Sequence, residues 1–508
     1  MASNIENNKR LALNTIALYV RTAIVLLLSL FITRLLLKQL GIEDFGLYNL
    51  VGSVVVLFSF LSSGLILSIQ RFLSYEIGRG REDKLNKVFS ISFFTQIIIV
   101  FLLIILCETI GLYFLNNKLN ISEDRVYAAN YLFQISIAIF SINIIRGAYE
   151  ALVIAYERMK IYAYASIADA VAKLLIVVLL CVDNGDKLIL YANLLLCETI
   201  LYYIIYYIYC RSVFQCCRII FVWDKQYFKN IISFTGWNAF GSLSNVLTQN
   251  GFIFVINIFF GVVANAALGI ANQVSSALTS FISSFQTSFR PQIVKAYAQD
   301  DEHYLTRLVT ETSKLSYVLI FLPFLFVFTN IDFILSLWLT VVPQGTSDFC
   351  RLILIISLFD AITGSYNCAI LATGKIKAYQ IIISLSFIAD LTISYLIAFY
   401  GCPLKFLLLP RLFMRGFVNC GVGLHFMSKQ IGFDIKTYFF KVLLKVLLFT
   451  FVFLLGSTFL SNIFSNLILL IYSSVAILLL VCPTLYLLIL DKNERAYIIN
   501  VTKKILHG

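Results

Sequence analysis

The chain has 508 residues, 60% of them hydrophobic and 13% charged, with a formal net charge of +12. Soluble domains are about 25% charged and about 45–50% apolar, so this composition excludes an ordinary soluble enzyme or binding module. The positive balance reads as membrane topology, not as a nucleic-acid surface, because no polar block is large enough to fold as a separate domain.

A membrane span needs about 20 predominantly apolar residues. Fourteen such spans are predicted, at 13–35, 45–69, 88–114, 127–147, 161–182, 188–210, 231–259, 263–288, 312–339, 349–372, 377–399, 403–427, 438–461 and 464–490. The expected fold class is therefore an all-α polytopic membrane protein. The first apolar run lacks a small-residue cleavage site and leads directly into further spans, so it reads as a span and not as a signal peptide. With the N-terminus inside, most of the 39 Lys and Arg residues fall in inside loops and tails. Lys38, Lys118, Arg125, Lys187, Arg351 and Lys405 are assigned to outer loops. A miscounted span would invert this alternation downstream, and no inversion appears, so both termini are expected to be cytoplasmic.

The longest polar stretches, at 70–87, 211–230, 289–311 and 428–437, all fall inside. The basic-aromatic stretch "RSVFQCCRIIFVWDKQYFKN" (211–230) reads as a connector between halves. The expected organisation is an N-terminal lobe at 1–210, the connector at 211–230, a C-terminal lobe at 231–428, and an extra helix pair with a tail at 429–508. A weak internal echo supports halves. Gly41 to Gly80 holds a loop, a Gly/Ser-containing span and "SIQRFLSYEIGRG"; Gly261 onward holds a short loop, a Ser-rich span and "QTSFRPQIVKAYAQDD". Arg71 and Arg290 occupy matching places at the inner ends of spans two and eight. Repeats of this kind are common in transporters that bind substrate between halves.

Ionisable groups within spans carry the most information, because each needs a partner or a wet cavity. The basic set is Arg21, Arg146, Lys173, Arg411 and Arg415, with Arg34 at the outer boundary; the acidic set is Glu108, Asp169, Glu198, Asp360 and Asp390. Asp169 and Lys173 are four apart on one helix face, so they either pair or line a cavity. Arg146, at the inner end of span four, can snorkel to headgroups. Arg411 and Arg415 lie one turn apart after Pro410, which favours a kink. The five acids are candidates for charge pairing or for coupling to H+ or Na+. Arg21 differs, since no acid lies within about a turn of it on its own helix. Its partner must come from another helix, from water or from a ligand. Spans seven and eight add Asn238, Asn245, Gln249, Asn272 and Gln273 among Ser and Gly, a pattern suited to a water-filled cavity. Lys173 and Arg415 join these as candidates for contact with substrate.

No Ser/His/Asp set, phosphate-cradling glycine loop or nucleotide-binding domain is present in the sequence, so no cofactor or metal is expected and transport would run on a gradient. Eleven cysteines lie mostly singly in apolar runs; Cys210, Cys216 and Cys217 cluster without a CxxC.

The stretch "TRLLLKQLGIEDFGLYNLVGSVVVLFSFLSSGLILSIQRFLSYEIGRG" (33–80) resembles the opening of polysaccharide-biosynthesis flippases. The features carrying this are Arg34, Leu40, Gly41, Glu43, Asp44, Phe45, Gly46 and Tyr48. "SFTGWNAFGSL" (233–243), "NIFFGVVANAALGIANQV" (257–274) and "LATGKIKAYQ" (371–380) are similar to Bacteroidetes-type members. The resemblance implies the multidrug/oligosaccharidyl-lipid/polysaccharide superfamily, with two six-helix lobes around a central cavity and two further C-terminal helices. It implies Wzx-type transfer of an undecaprenyl-pyrophosphate-linked oligosaccharide across the bacterial inner membrane for surface polysaccharide such as O-antigen, with polymerase machinery as a partner. Related lipid II flippases use cavity arginines on spans one, two and eight, which match Arg21, Arg71 and Arg290 by position. Two rivals are a multidrug or cation exporter of the same superfamily and a membrane glycosyltransferase or polymerase. The first predicts twelve spans and an acidic cavity. The second needs a large outer catalytic loop.

Overall fold

The computed structural model describes residues 2–460, apart from 57–58, 119–122, 182–184, 219, 221–223 and 340–341, together with 481, 483 and 484. The predicted span at 464–490 lies outside the described residues, save for those three positions. Every regular element among the described residues is helical. They are α1 (Ala2–Val56), α2 (Ser59–Gly78), α3 (Glu82–Leu106), α4 (Leu112–Lys118), α5 (Val126–Ala155), α6 (Met159–Leu179), α7 (Lys187–Val213) and α8 (Lys225–Ala298). There follow α9 (Glu302–Thr329), α10 (Ile331–Trp338), α11 (Thr346–Thr373), α12 (Lys377–Phe399), α13 (Leu409–Phe413), α14 (Asn419–Ile431), α15 (Ile435–Tyr438) and α16 (Leu444–Leu460). Eleven helical stretches among the described residues are long and apolar enough to cross a membrane. The chain is an all-α, multi-pass membrane protein. Large apolar side chains such as Phe101, Leu201, Ile208, Phe254, Leu385 and Phe451 stand exposed on these helices, as a lipid-facing surface requires.

Packing divides the chain into two compact units, one of residues 1–243 and 287–300, the other of 244–286 and 301–508. In the first unit α5 is the central helix. Its stretch Gly147–Ala155 is buried but for Glu150, and it is rich in small residues, Gly147, Ala148, Ala151 and Ala155. A Cβ at Gly147 would lie 2.8 Å from Ile66 Cγ1, so the glycine is what lets α2 close on α5. In the second unit α11 has the same central place, and a Cβ at Gly423 of α14 would lie 2.3 Å from the Tyr366 ring of α11.

Two long helices each contain one break. Gly41 inside α1 has φ 79°, ψ 176°, and Gly261 inside α8 has φ 79°, ψ −174°. That region of backbone space is open essentially to glycine alone. The two glycines that anchor the echo in the sequence thus adopt one and the same conformation, and the repeat is physical. No heavy atom lies within 4 Å of a Cβ built on either glycine, so the demand is purely one of backbone. Gly41→Ala or Gly261→Ala should therefore cost about 1–3 kcal/mol, read as a lowered melting temperature in detergent. A full-stability alanine variant would show that the break is not required.

Charged groups assigned to the same side of the membrane meet one another. On the expected outer side Arg125 bonds both Asp44 (2.9 Å) and Asp186 (2.8 Å), and Arg351 pairs with Asp332 (2.6 Å). Asp44 of the Glu43–Asp44 pair thus ties α1 to the start of α5. On the expected inner side Arg79 pairs with Asp300 (3.1 Å), Lys295 with Glu157 (2.6 Å) and Lys87 with Asp224 (2.6 Å).

Asp224 also caps α8, accepting from the backbone N–H groups of Gln226 and Tyr227. Lys87 first, and then these amides, hold its carboxyl below the usual carboxylate range. Because the folded-state value is lowered, its stabilising effect is present above the ordinary carboxyl value and is lost as pH falls through the lowered one. Protection of the Gln226 and Tyr227 amides against hydrogen exchange, relative to their intrinsic rates, should fall below about pH 4, and Asp224→Asn should flatten that dependence. Equal acid sensitivity in the asparagine variant would refute the assignment.

Two other residues have positive φ without being glycine: Glu157 (60°) after α5 and Asp300 (57°) after α8. A non-glycine residue there is disfavoured by about 1–2 kcal/mol. At the ends of α2, α11, α12 and α14 the equivalent left-handed position is filled by Gly80, Gly374, Gly401 and Gly432.

Candidate functional site

Arg21 is placed by its own helix. One turn before it, Leu18 is buried against Ile154, Met159 and Ala163, where α5 turns into α6, with Tyr162 packed alongside. Thr15, a further turn back, lies 3.2 Å from the Ser288 hydroxyl near the end of α8. These contacts bring Arg21 to Tyr162, with its guanidinium 5.2 Å from the ring centroid. Among the described residues Arg21 forms no ion pair, and its Nε is buried with no hydrogen-bond acceptor.

Tyr162 is the meeting point of a larger group. It interacts electrostatically with Glu150, Arg21, Arg146 and Arg290. Arg290 stands just before Pro291, and its Nε too is buried without an acceptor. Arg146 lies over the rings of Tyr202 (4.4 Å) and Tyr206 (5.9 Å), with Nε again unsatisfied. Its terminal nitrogen is 3.8 Å from Glu150, one turn on, too long for a hydrogen bond. Asp169 also acts on Glu150, and Arg146 on Glu198, so the group sets Arg21, Arg146, Arg290 and Lys173 against Glu150, Asp169 and Glu198, and its excess is a single positive charge.

Helix α5 continues to Ala155, beyond the span end expected at residue 147. The small, buried residues of its last turns explain the extension: they let the helix stay packed in the unit where a loop was expected. Arg146 is consequently more than two turns from the helix end. Glu150, beyond the expected span, is carried by this extension and becomes an acid of the group.

Arg71 has a different setting. Its guanidinium is wrapped by Phe72 (4.6 Å), Tyr75 (5.4 Å) and Phe234 (5.5 Å). Asn238 is buried beside Gly64, whose Cβ would lie 3.2 Å from the Thr235 carbonyl, so α2 and the first part of α8 are in close contact there. Asp169 and Lys173 pair at 2.8 Å, and Glu198 of α7 interacts electrostatically with both. Glu108 sits in the π-helical stretch Cys107–Gly111 and accepts from Gln134 at 3.2 Å.

The second unit holds a separate polar group. Arg415, on the π-helical stretch Met414–Val418, donates to Asn245 at 2.6 Å, and Gln249 donates to the same oxygen at 3.4 Å. Asp360 is 3.8 Å from Arg415. π-bulges of this kind recur where a helix aims a side chain at a site. Arg411 pairs with Asp390 at 3.1 Å. Asn272 and Gln273 are exposed. Cys210, Cys216 and Cys217 are buried free thiols.

The side chains gathered here are chemically suited to an anion. Arginine offers charge-assisted, planar and often bidentate hydrogen bonds to phosphate or carboxylate oxygens. A guanidinium with an unsatisfied buried N–H has spare capacity for such an oxygen.

Comparison with known proteins places these features in context. Residues 11–297 match a family model described as "Polysaccharide biosynthesis protein". An "Uncharacterized membrane protein EpsK" of Bacillus subtilis (strain 168) is 20% identical over 301 residues, covering 58% of this chain and 59% of that protein, so the chain spans under two thirds of this relative. Solved structures of similar fold include one described as the outward-facing conformation of a multidrug resistance MATE family transporter of the MOP superfamily. It is 13% identical with a TM-score of 0.73, over 84% of this chain and 96% of that one. Another is a MOP superfamily transporter from Pyrococcus furiosus, described as having a binding pocket of reverse polarity. It is 14% identical with a TM-score of 0.69 over the same shares.

Proposed function

The chain belongs to the polysaccharide biosynthesis protein family, and from that premise we propose that it is a flippase for an undecaprenyl-pyrophosphate-linked oligosaccharide in surface polysaccharide biosynthesis. It works in the bacterial inner membrane with both termini in the cytoplasm. The observation that carries this reading is the cluster of Arg21, Arg146 and Arg290 about Tyr162, which together with Lys173 outnumbers the acids Glu150, Asp169 and Glu198. A pyrophosphate is a dense anion, and it meets here three guanidiniums whose Nε atoms lack acceptors among the described residues.

Arg415, Asn245 and Gln249, with exposed Asn272 and Gln273, offer donors and acceptors suited to sugar hydroxyls, while the prenyl tail stays in lipid. Alternating access moves the headgroup from one leaflet to the other. Asp169, Glu198, Glu108, Asp360 and Asp390 are the acids available to couple H+ or Na+. The reading as an exporter of cationic drugs is disfavoured by the same positive excess, since a cation would meet like charge. The test is complementation of a strain lacking its flippase, followed by analysis of the lipid-linked glycan in the outer leaflet. Restored export supports the proposal, and accumulation of the glycan on the inner leaflet despite membrane expression overturns it.

A further inference from the structure

Glu157 and Asp300 carry their charge at a position where this chain otherwise uses glycine. Both hold left-handed backbone at a helix end, and the four other described helix ends of that geometry are Gly80, Gly374, Gly401 and Gly432. A residue that accepts this conformation without being glycine must offset the strain with its side chain. In both cases the side chain makes an ion pair to another helix. The Glu157 carboxylate uses both oxygens on α8: Oε1 accepts from Lys295 Nζ at 2.6 Å, and Oε2 accepts from Gln292 Nε2 at 3.2 Å. Asp300, just after α8, accepts from Arg79, just after α2, at 3.1 Å.

Between these two ties the helices touch closely. A Cβ at Gly78 would lie 2.8 Å from Lys295 Cα and 2.9 Å from Ala298 Cβ, and the Tyr75 and Tyr297 rings are 6.4 Å apart. The tied segment of α8 begins just after Arg290, the cation it contributes to the site around Tyr162. We propose that Glu157 and Asp300 are positioning residues forming a two-point latch: they hold the end of α8 against α2 and α5, so that Arg290 joins Arg21 and Arg146 only while the latch is shut. Opening it dismantles the anion site on the expected cytoplasmic side. Conversely, an anion bridging these arginines keeps the latch shut, because a ligand that binds one state alone shifts the equilibrium toward it. The proposal rests on the anion-site reading for its ligand but not for its geometry.

The experiment uses the full-length protein in detergent with Ser288→Cys as reporter. Ser288 is fully buried near the end of α8, so a cysteine there reacts with maleimide only when α8 swings away. Glu157→Gly and Asp300→Gly remove the charge and relieve the backbone at once. The expected result is labelling at least about tenfold faster in Glu157→Gly and a smaller acceleration in Asp300→Gly, whose ion pair is exposed, by peptide mass spectrometry, with a melting temperature that does not fall. Inorganic pyrophosphate should slow labelling of the parent and bind about tenfold more weakly to both glycine variants. The swap Glu157→Lys with Lys295→Glu should restore slow labelling where neither single change does. Unchanged labelling in the glycine variants, or faster labelling that tracks a loss of melting temperature, overturns the latch. If pyrophosphate has no effect on any variant while the labelling results hold, the latch stands and the anion-site reading fails.

Discussion

Arg21→Ala should abolish flipping in the complementation assay while the protein still expresses, inserts and melts at its usual temperature. A hydrogen bond to a charged group contributes about 1.5–3 kcal/mol, so losing one guanidinium from the set should weaken pyrophosphate binding roughly 10–100-fold. Stability should be spared because Arg21 has no ion pair among the described residues, and its removal orphans no bonded carboxylate. Arg146→Ala gives the contrasting result. It removes the cation nearest Glu150, at 3.8 Å, together with a stack on Tyr202, so it should lose both binding and stability. Arg21→Lys keeps the charge but not the planar fork, and intermediate binding is expected. Isothermal titration with inorganic pyrophosphate and a detergent melt separate these cases. An Arg21→Ala protein with full flipping would remove the central support for an anion site.

Arg21 was legible because its isolation is a local property: an arginine deep in a span with no acid within a turn shows in the sequence itself. The Asp169–Lys173 pair was legible for the same reason, since four residues on a helix set a fixed neighbourhood. Glu150 was not. Its membership of the site depends on α5 running on to Ala155, which is decided by how Gly147, Ala148 and Ala151 pack against neighbouring helices. Arg71 and Arg290 look alike in the repeat, yet aromatic residues beside Arg71 enclose it, while Arg290 is left with an unsatisfied N–H. The repeat itself was visible as paired glycines. That Gly41 and Gly261 break their helices with the same dihedral angles is a fact of backbone geometry that spacing does not encode. The pairing of charges that are distant in the chain, such as Glu157 with Lys295, was equally hidden, because only the fold brings them together.

Arg411 and Asp390 are a pair of this hidden kind, and breaking it should produce the largest loss of stability in the molecule. Their side chains are only 9% and 2% exposed, with Arg411 Nε donating to Asp390 Oδ2 at 3.1 Å. Arg411 also lies 4.2 Å from the centroid of the Phe252 ring, and Ser394 reaches the other Asp390 oxygen at 3.5 Å. Asp390→Leu leaves a buried guanidinium without its counter-ion, and removal of one partner of such a pair costs about 3–5 kcal/mol. Replacing both by Leu removes the burial penalty together with the attraction, so the double variant should recover most of the loss. Detergent melts of the two single variants and the double variant close the cycle and give the coupling directly. The same double variant discriminates the two roles open to Asp390. If the carboxylate only balances Arg411, the recovered protein still flips its substrate with the usual gradient dependence. If Asp390 takes part in ion coupling, the protein is stable but transport no longer responds to the gradient. The geometry favours the first outcome: Asp390 is only 2% exposed and is held by Arg411 Nε at 3.1 Å, which leaves little of the group available to a transported ion.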